Sequence, residues 1–190
     1  MMRKLLLIII LTFSFQSWAK ADSTNDFEIE GISIGDSLYD FLDIDNIKKD
    51  TDYFYENSKY GTVSLSDSSE YDRIQLTYDV NNKIYQIHGI SGVLKFPNNI
   101  EQCKVKMKKI VSNIELTFGK NVNKTTGTFK RRHDKSGKSI AFYNDFEFND
   151  KSAINIYCTD WSEEITKENN WNDELKIAIY SIEFSIFLSK

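Results

Sequence analysis

Two cysteines and two histidines, Cys103, Cys158, His88 and His133, are the residues with the strongest intrinsic chemistry in this chain. A structural zinc centre needs about four ligands of this kind. An isolated even pair of cysteines in an exported protein is instead read as a disulfide. A Cys103–Cys158 bond closes a loop of about 55 residues and is worth about 4 kcal/mol on the chain-entropy account. His88, within Ile87-His88-Gly89, reads as a hydrogen-bonded strand histidine; His133 stands beside Asp134 at a turn. An enzyme reading would need His88 with a nearby carboxylate in an open cleft. The expectation is that His88 has neither a carboxylate or hydroxyl within reach nor an open cleft beside it, and is packed against the sheet's neighbours or faces solvent singly.

No Gly-x-Ser-x-Gly elbow, His-Glu-x-x-His pair or phosphate loop occurs. Asp43-Ile44-Asp45-Asn46 begins like a calcium loop, but Ile47 occupies a position that needs an oxygen ligand. The sequence therefore points to no catalytic residue, no metal and no cofactor. One segment breaks the acidic background. Between Lys120 and Lys138 stand Lys120, Lys124, Lys130, Arg131, Arg132, Lys135 and Lys138, against Asp134 alone. Lys130, Arg131, Arg132, His133 and Lys135 form the candidate binding set, suited to phosphate groups of lipid or lipopolysaccharide or to an acidic protein. The plainer alternative is a solvated tip that guards a sheet edge.

The N-terminus determines where this chemistry operates. Arg3 and Lys4, the apolar run Leu5 to Phe15, and Ala19-Lys20-Ala21 have the layout of a secretory signal peptide, 1–21, cleaved before Asp22. The run is too short to span a bilayer, which takes about 20 residues, and the expectation is a chain without a membrane span. Removing Arg3, Lys4 and Lys20 with the leader leaves 21 basic against 28 acidic residues, a net charge of −7. That charge excludes a general nucleic-acid binder. Lysine outnumbers arginine 20 to 4, the usage of an AT-rich bacterial genome, so the expected location is periplasmic or secreted.

The elements follow from pattern. Ile100, Cys103, Met107, Ile110, Val111, Ile114 and Phe118 form one apolar stripe at helical period. The helix is predicted over 99–118, with Asn98 as a cap and Gly119 as its stop. Strands are predicted at Thr126–His133 and Lys138–Phe148, flanking an Asp134–Gly137 turn, and at Ala153–Cys158, which must run beneath the helix's first turn if the disulfide forms. A β segment is predicted from Glu174 to Leu188, whose apolar phase slips near Tyr180 and Ser181 and so demands a bulge or a break.

In the first half, Asp36 or Ser37 caps a short helix at Leu38, Phe41 and Leu42. Strands follow at Asp52–Glu56, Gly61–Leu65, Asp72–Val80 and Lys83–Phe96. A two-residue turn at Asn81-Asn82 sets Tyr78 opposite Tyr85 and Leu76 opposite Ile87. The fold class is α+β: an antiparallel sheet with helices packed on one face. It forms a single domain, 22–190, with possible half-units 27–97 and 98–190 of helix-then-strands order.

The stretch Glu30-Gly31-Ile32-Ser33-Ile34-Gly35-Asp36-Ser37-Leu38 resembles the opening of small exported bacterial domains of the beta-lactamase-inhibitor-like and BamE-like group. The cysteine-bearing helix and tryptophan-flanked terminal strands resemble uncharacterised exported bacterial proteins. This resemblance implies a helix on an antiparallel sheet and transfers no functional residue; the chain lacks the lipidated cysteine of BamE-type lipoproteins. Three classes of function follow. The first is a non-catalytic exported module engaging an envelope protein or anionic surface. The second is a periplasmic inhibitor holding a cationic hydrolase such as a lysozyme, and the third an enzyme using His88.

Overall fold

The computed structural model describes residues 24, 27–55, 58–65 and 68–190, with the backbone alone at 44, 46, 48 and 120. The leader and its cleavage site lie outside the described residues, as does the side chain of Lys120. The described chain runs β1 (Glu28–Ile29), β2 (Ile32–Ser33), a 3-10 turn at Leu38–Asp40, α1 (Ile44–Lys49), β3 (Thr51–Phe54), β4 (Tyr60–Leu65), β5 (Arg73–Asp79) and β6 (Ile87–Lys95). It continues α2 (Ile100–Phe118), β7 (Val122–Lys130), β8 (Ile140–Phe148), β9 (Ala153–Asp160), α3 (Glu163–Asn169), β10 (Glu174–Tyr180) and α4 (Ile182–Leu188).

Strands β3 to β10 form one eight-stranded antiparallel sheet in the order β3-β4-β5-β6-β10-β9-β8-β7. β3–β6 follow α1, β7–β10 follow α2 with α3 inserted before β10, and the two sets meet where β6 pairs with β10, Ile90 opposite Ile179; β1 and β2 form a separate two-stranded sheet. This is an α+β protein. Its core lies between the sheet and α2. Cys103, Met107, Val111, Ile114 and Phe118 are the buried face of α2. They pack with Leu76, Ile90, Phe146, Ile156, Leu175 and others. Burial of each large side chain there contributes about 1.5–3 kcal/mol before chain entropy is set against it. Asn99, not Asn98, is the N-cap: its side chain accepts from the Gln102 amide at 3.0 Å, and Gly119 ends the helix at φ 57°. Cys103 in the first turn is bonded to Cys158 of β9, with Cα atoms 5.9 Å apart.

Two registers depart from the sequence reading. Tyr78 pairs with Ile87 and Leu76 with Ile90, so the β5–β6 connection is longer than Asn81-Asn82. The cause lies elsewhere in the chain. Gly35 N–H donates to Ile87, Leu38 N–H to Tyr85, and Ile87 N–H to Asp36, which ties residues 85–87 to the 35–38 segment while Gln86 still accepts from the Asp79 amide of β5 at 3.0 Å. Thr77 then pairs with Gly89, which leaves His88 as the extra residue of a bulge. Tyr78 and Tyr85 still meet as rings 5.4 Å apart.

The second departure is the C-terminus. The expected β segment from Glu174 to Leu188 stops at Tyr180 and becomes α4, with Ser181 as N-cap accepting from the Phe184 amide at 3.2 Å. The slip in apolar phase marked a change from period 2 to period 3.6, neither a bulge nor a strand break. Strand alternation turns Leu175, Ile177 and Ile179 toward α2, and Glu174, Lys176 and Tyr180 toward the opposite face. α4 covers part of that opposite face. Phe184 packs on Tyr60 at 4.9 Å and on Tyr180 at 5.3 Å between ring centroids.

Candidate functional site

The sheet face opposite α2 carries polar and titratable side chains where a second core would be expected. Three adjoining concavities run along it. One of about 580 Å³ lies beside α4 and includes Asp145, Asn155, Tyr180 and Ser185. A central one of about 210 Å³ includes Tyr55, Thr77, Lys176 and Tyr180. The third, of about 320 Å³, lies toward the β7–β8 loop and includes Arg73, Lys95, Arg131, Trp161, Trp171 and Lys176. Tyr180 borders the first two; Gln75 and Lys176 border the last two.

Lys176 is the pivot. Its position on β10, the seam of the two half-sheets, places the amine in the middle of this face, where Nζ donates to Gln75 Oε1 at 2.9 Å. Burial pushes the ammonium down to about 8, with Glu174 opposing and Arg73 and Arg131 adding to the depression. Arg73 lies 3.9 Å from Glu174, the single acid lining this third concavity against Arg73, Lys95, Arg131 and Lys176. An acidic chain thus concentrates positive charge at one cleft.

The β7–β8 loop delivers Arg131 to that cleft. Asp134 organises the loop: its carboxylate accepts from the amides of Ser136 and Ser139, both at 2.8 Å, and from the Ser139 hydroxyl at 2.7 Å. Hydrogen bonds from Ser136 and Ser139 hold this carboxyl well below the usual range. Gly137 takes φ 68°, as its place in the turn requires. Arg131 turns inward and lays its guanidinium over the Trp161 ring, 5.0 Å from the centroid. Burial lowers its pKa.

Four of the five residues of the sequence-derived binding set, Lys130, Arg131, Arg132 and His133, line a concavity of about 480 Å³ with Phe129, and Arg131 and His133 also border the cleft. Lys130, Arg132, His133 and Lys135 are exposed, whereas Arg131 is half-buried. Lys138, from the same basic run, is held by Glu164 at 2.8 Å. The sequence reading missed Arg73, Lys95 and Lys176, which stand on separate strands with no shared spacing. Trp161 and Trp171 are the tryptophans that flank the terminal strands. Their rings meet at 4.7 Å, and His133 stands edge-on to Trp171 at 6.1 Å.

The cleft also gathers unpaired donors. Among the described residues, Arg73 Nε, Arg131 Nε and Trp161 Nε1 are buried with no hydrogen-bond partner, and all three residues line this one concavity. Buried donors left without a partner cost about 1–3 kcal/mol each. Such atoms are ordinarily satisfied by protein, water or ligand.

His88 corrects the expectation that it lacks both a hydroxyl and a carboxylate. Its Nδ1 lies 2.9 Å from Ser181 Oγ and 3.6 Å from Glu183 Oε2. Both groups meet the same ring nitrogen, whereas a nucleophile–base–acid relay needs them on opposite nitrogens. Ser181 Oγ is buried and already caps α4. None of the concavities described above includes His88. The arrangement ties the β6 bulge to the start of α4.

Among the described residues no three His, Cys, Asp or Glu side chains converge as a metal site, and no helix is long and apolar enough to cross a membrane. What fold and site define together is an α+β protein built on one antiparallel sheet with a cationic, tryptophan-walled cleft. Comparison with protein-family models, curated proteins and solved structures finds no match for this chain.

Proposed function

We propose that this chain is a non-catalytic exported binding module that takes an anionic group of an envelope component, on a protein or an anionic surface, into the cleft of Arg73, Arg131 and Lys176. The carrying observation is the convergence there of three buried donors without acceptors, Arg73 Nε, Arg131 Nε and Trp161 Nε1. A site whose unmet groups are all donors, on cationic or indole side chains, suits a ligand rich in acceptor oxygens. The leader-like N-terminus and the Cys103–Cys158 bond support an oxidising location, periplasmic or secreted. The exposed Lys130, Arg132 and Lys135 would steer an anionic partner toward the cleft without holding it.

Titration calorimetry against anionic phospholipid vesicles and against an acidic oligopeptide separates tip from cleft. The pair Lys95→Ala and Arg131→Ala should weaken binding by about ten-fold or more, corresponding to about 1.4 kcal/mol. The triple change Lys130→Glu, Arg132→Glu and Lys135→Glu should mainly slow association and reduce the salt dependence. Full affinity in the cleft variant would overturn the proposal. A cationic hydrolase held by the acidic surface would instead bind the triple variant as well as or better than the parent.

A further inference from the structure

We infer that the ligand of this cleft is an acidic saccharide, a pyranose ring bearing a carboxylate, an inference that rests on the anion-binding reading above. Trp171 is 38 % exposed at the rim of this concavity, its ring held by contacts with Trp161 at 4.7 Å and His133 at 6.1 Å between centroids. Trp161 is only 7 % exposed and has a ring face already covered by Arg131. The two indoles, inclined at 57°, thus divide their roles: Trp161 positions the guanidinium, and Trp171 presents an open, pre-oriented aromatic surface. A pyranose has an apolar face of C–H groups, weakly positive at hydrogen, that lies well on the negative face of an indole and leaves its hydroxyls free at the edge.

The groups around that surface suit such an edge. The side-chain amides of Asn170 and Asn172, which flank Trp171 in sequence, hydrogen-bond no described residue and line the same concavity. Each amide offers a donor and an acceptor, which a sugar hydroxyl can meet with its own acceptor and donor. Arg131 and Lys95 supply the charge for a carboxylate. At about 320 Å³ the concavity lies at the small end of the range for small-molecule sites, which fits one or two rings. A lipid phosphate would use the cations but leave the indole and both amides idle. A ring-free acidic peptide would meet the amides through its backbone but leave the indole without a stacking partner.

Trp171 lies at the site, so its fluorescence reports binding directly. The probes are glucuronate, galacturonate and N-acetylmuramate. Each is set against its neutral counterpart (glucose, galactose, N-acetylglucosamine), with acetate as the ring-free anion. At least one acidic sugar should bind about ten-fold more tightly than both its neutral counterpart, which lacks the charged hydrogen bond, and acetate, which lacks the aromatic contact. Because Trp171→Ala removes one of the two indoles that report from this cleft, the variants are measured by calorimetry. Trp171→Ala should lose about ten-fold of that affinity, and Trp171→Phe should retain most of it. Acidic sugars that bind no better than acetate, or equally well to Trp171→Ala, overturn the inference. If acetate or acidic peptide then still binds in an Arg131-dependent way, the saccharide alone fails; if no anion binds there, both readings fail.

Discussion

The ring nitrogen Nδ1 of His88 and the hydroxyl of Ser181, 93 residues apart in sequence, lie 2.9 Å from each other. This contact joins a strand bulge in the first half of the chain to the cap of the last helix. Burial lowers the His88 pKa; Glu183 and Asp79 oppose that shift and Lys59 adds to it. The neutral ring is therefore the form the fold prefers. The unfolded chain binds more protons than the folded one below its own histidine pKa of about 6.5. Stability from this site is thus present above that pH and is lost as pH falls through it toward the lower folded value. Urea unfolding across pH 5 to 7.5 should show this loss, and His88→Gln should flatten the profile. An unchanged slope in the variant would refute the assignment.

Lys176 should show the opposition between binding and stability. Its amine is pushed down to about 8 by burial, so at neutral pH the fold holds a charge it disfavours. Relative to a free lysine near 10.4 this costs on the order of 3 kcal/mol. Stability should therefore rise as pH climbs from about 8 to about 10.4. Lys176→Met, of similar length, should raise the melting temperature at pH 7 and weaken anion binding in the cleft. A variant that is less stable at pH 7, or that binds as well as the parent, would count against this role.

The Cys103–Cys158 bond should contribute about 4 kcal/mol, because it closes a long loop in the unfolded chain. Cys103→Ser, Cys158→Ser and the double variant should lose similar amounts. Denaturation of the parent with and without reductant provides the same comparison. A loss below about 1 kcal/mol would mean the unfolded chain is already restrained there.

Export is tested by intact mass. Secreted from a bacterial host, the mature chain should begin at Asp22, following Ala19-Lys20-Ala21. Recovery of a chain that still begins at Met1 would remove the exported location from the proposal.

The elements whose patterning is local were legible in the sequence. The α2 stripe from Ile100 to Phe118, the Asp134–Gly137 turn and the cysteine pairing each follow from residues within one helical face, one turn or one pair of thiols. The α+β class followed from them. The β5–β6 register did not, because the hydrogen bonds that displace it come from residues 35–38, some fifty positions earlier. Nor did α4: its apolar residues Ile182, Phe184, Ile186 and Leu188 alternate like a strand, and its cap is Ser181, whose hydroxyl oxygen accepts from Phe184 while also meeting His88 from the other half of the chain.

The candidate site divides in the same way. Composition and the basic run determined that positive charge gathers near the β7–β8 loop, and Arg131 was named from the sequence. Which of those charges turns inward was decided by the tertiary structure, through Asp134 folding the loop and Trp161 receiving the guanidinium. Arg73, Lys95 and Lys176 sit on β5, β6 and β10, and antiparallel pairing alone brings them to one face. Strand alternation is readable along a sequence, but which strands are neighbours depends on long-range pairing with no local signature. The sequence set the kinds of side chain available to this protein, and the sheet order decided which of them share a cleft.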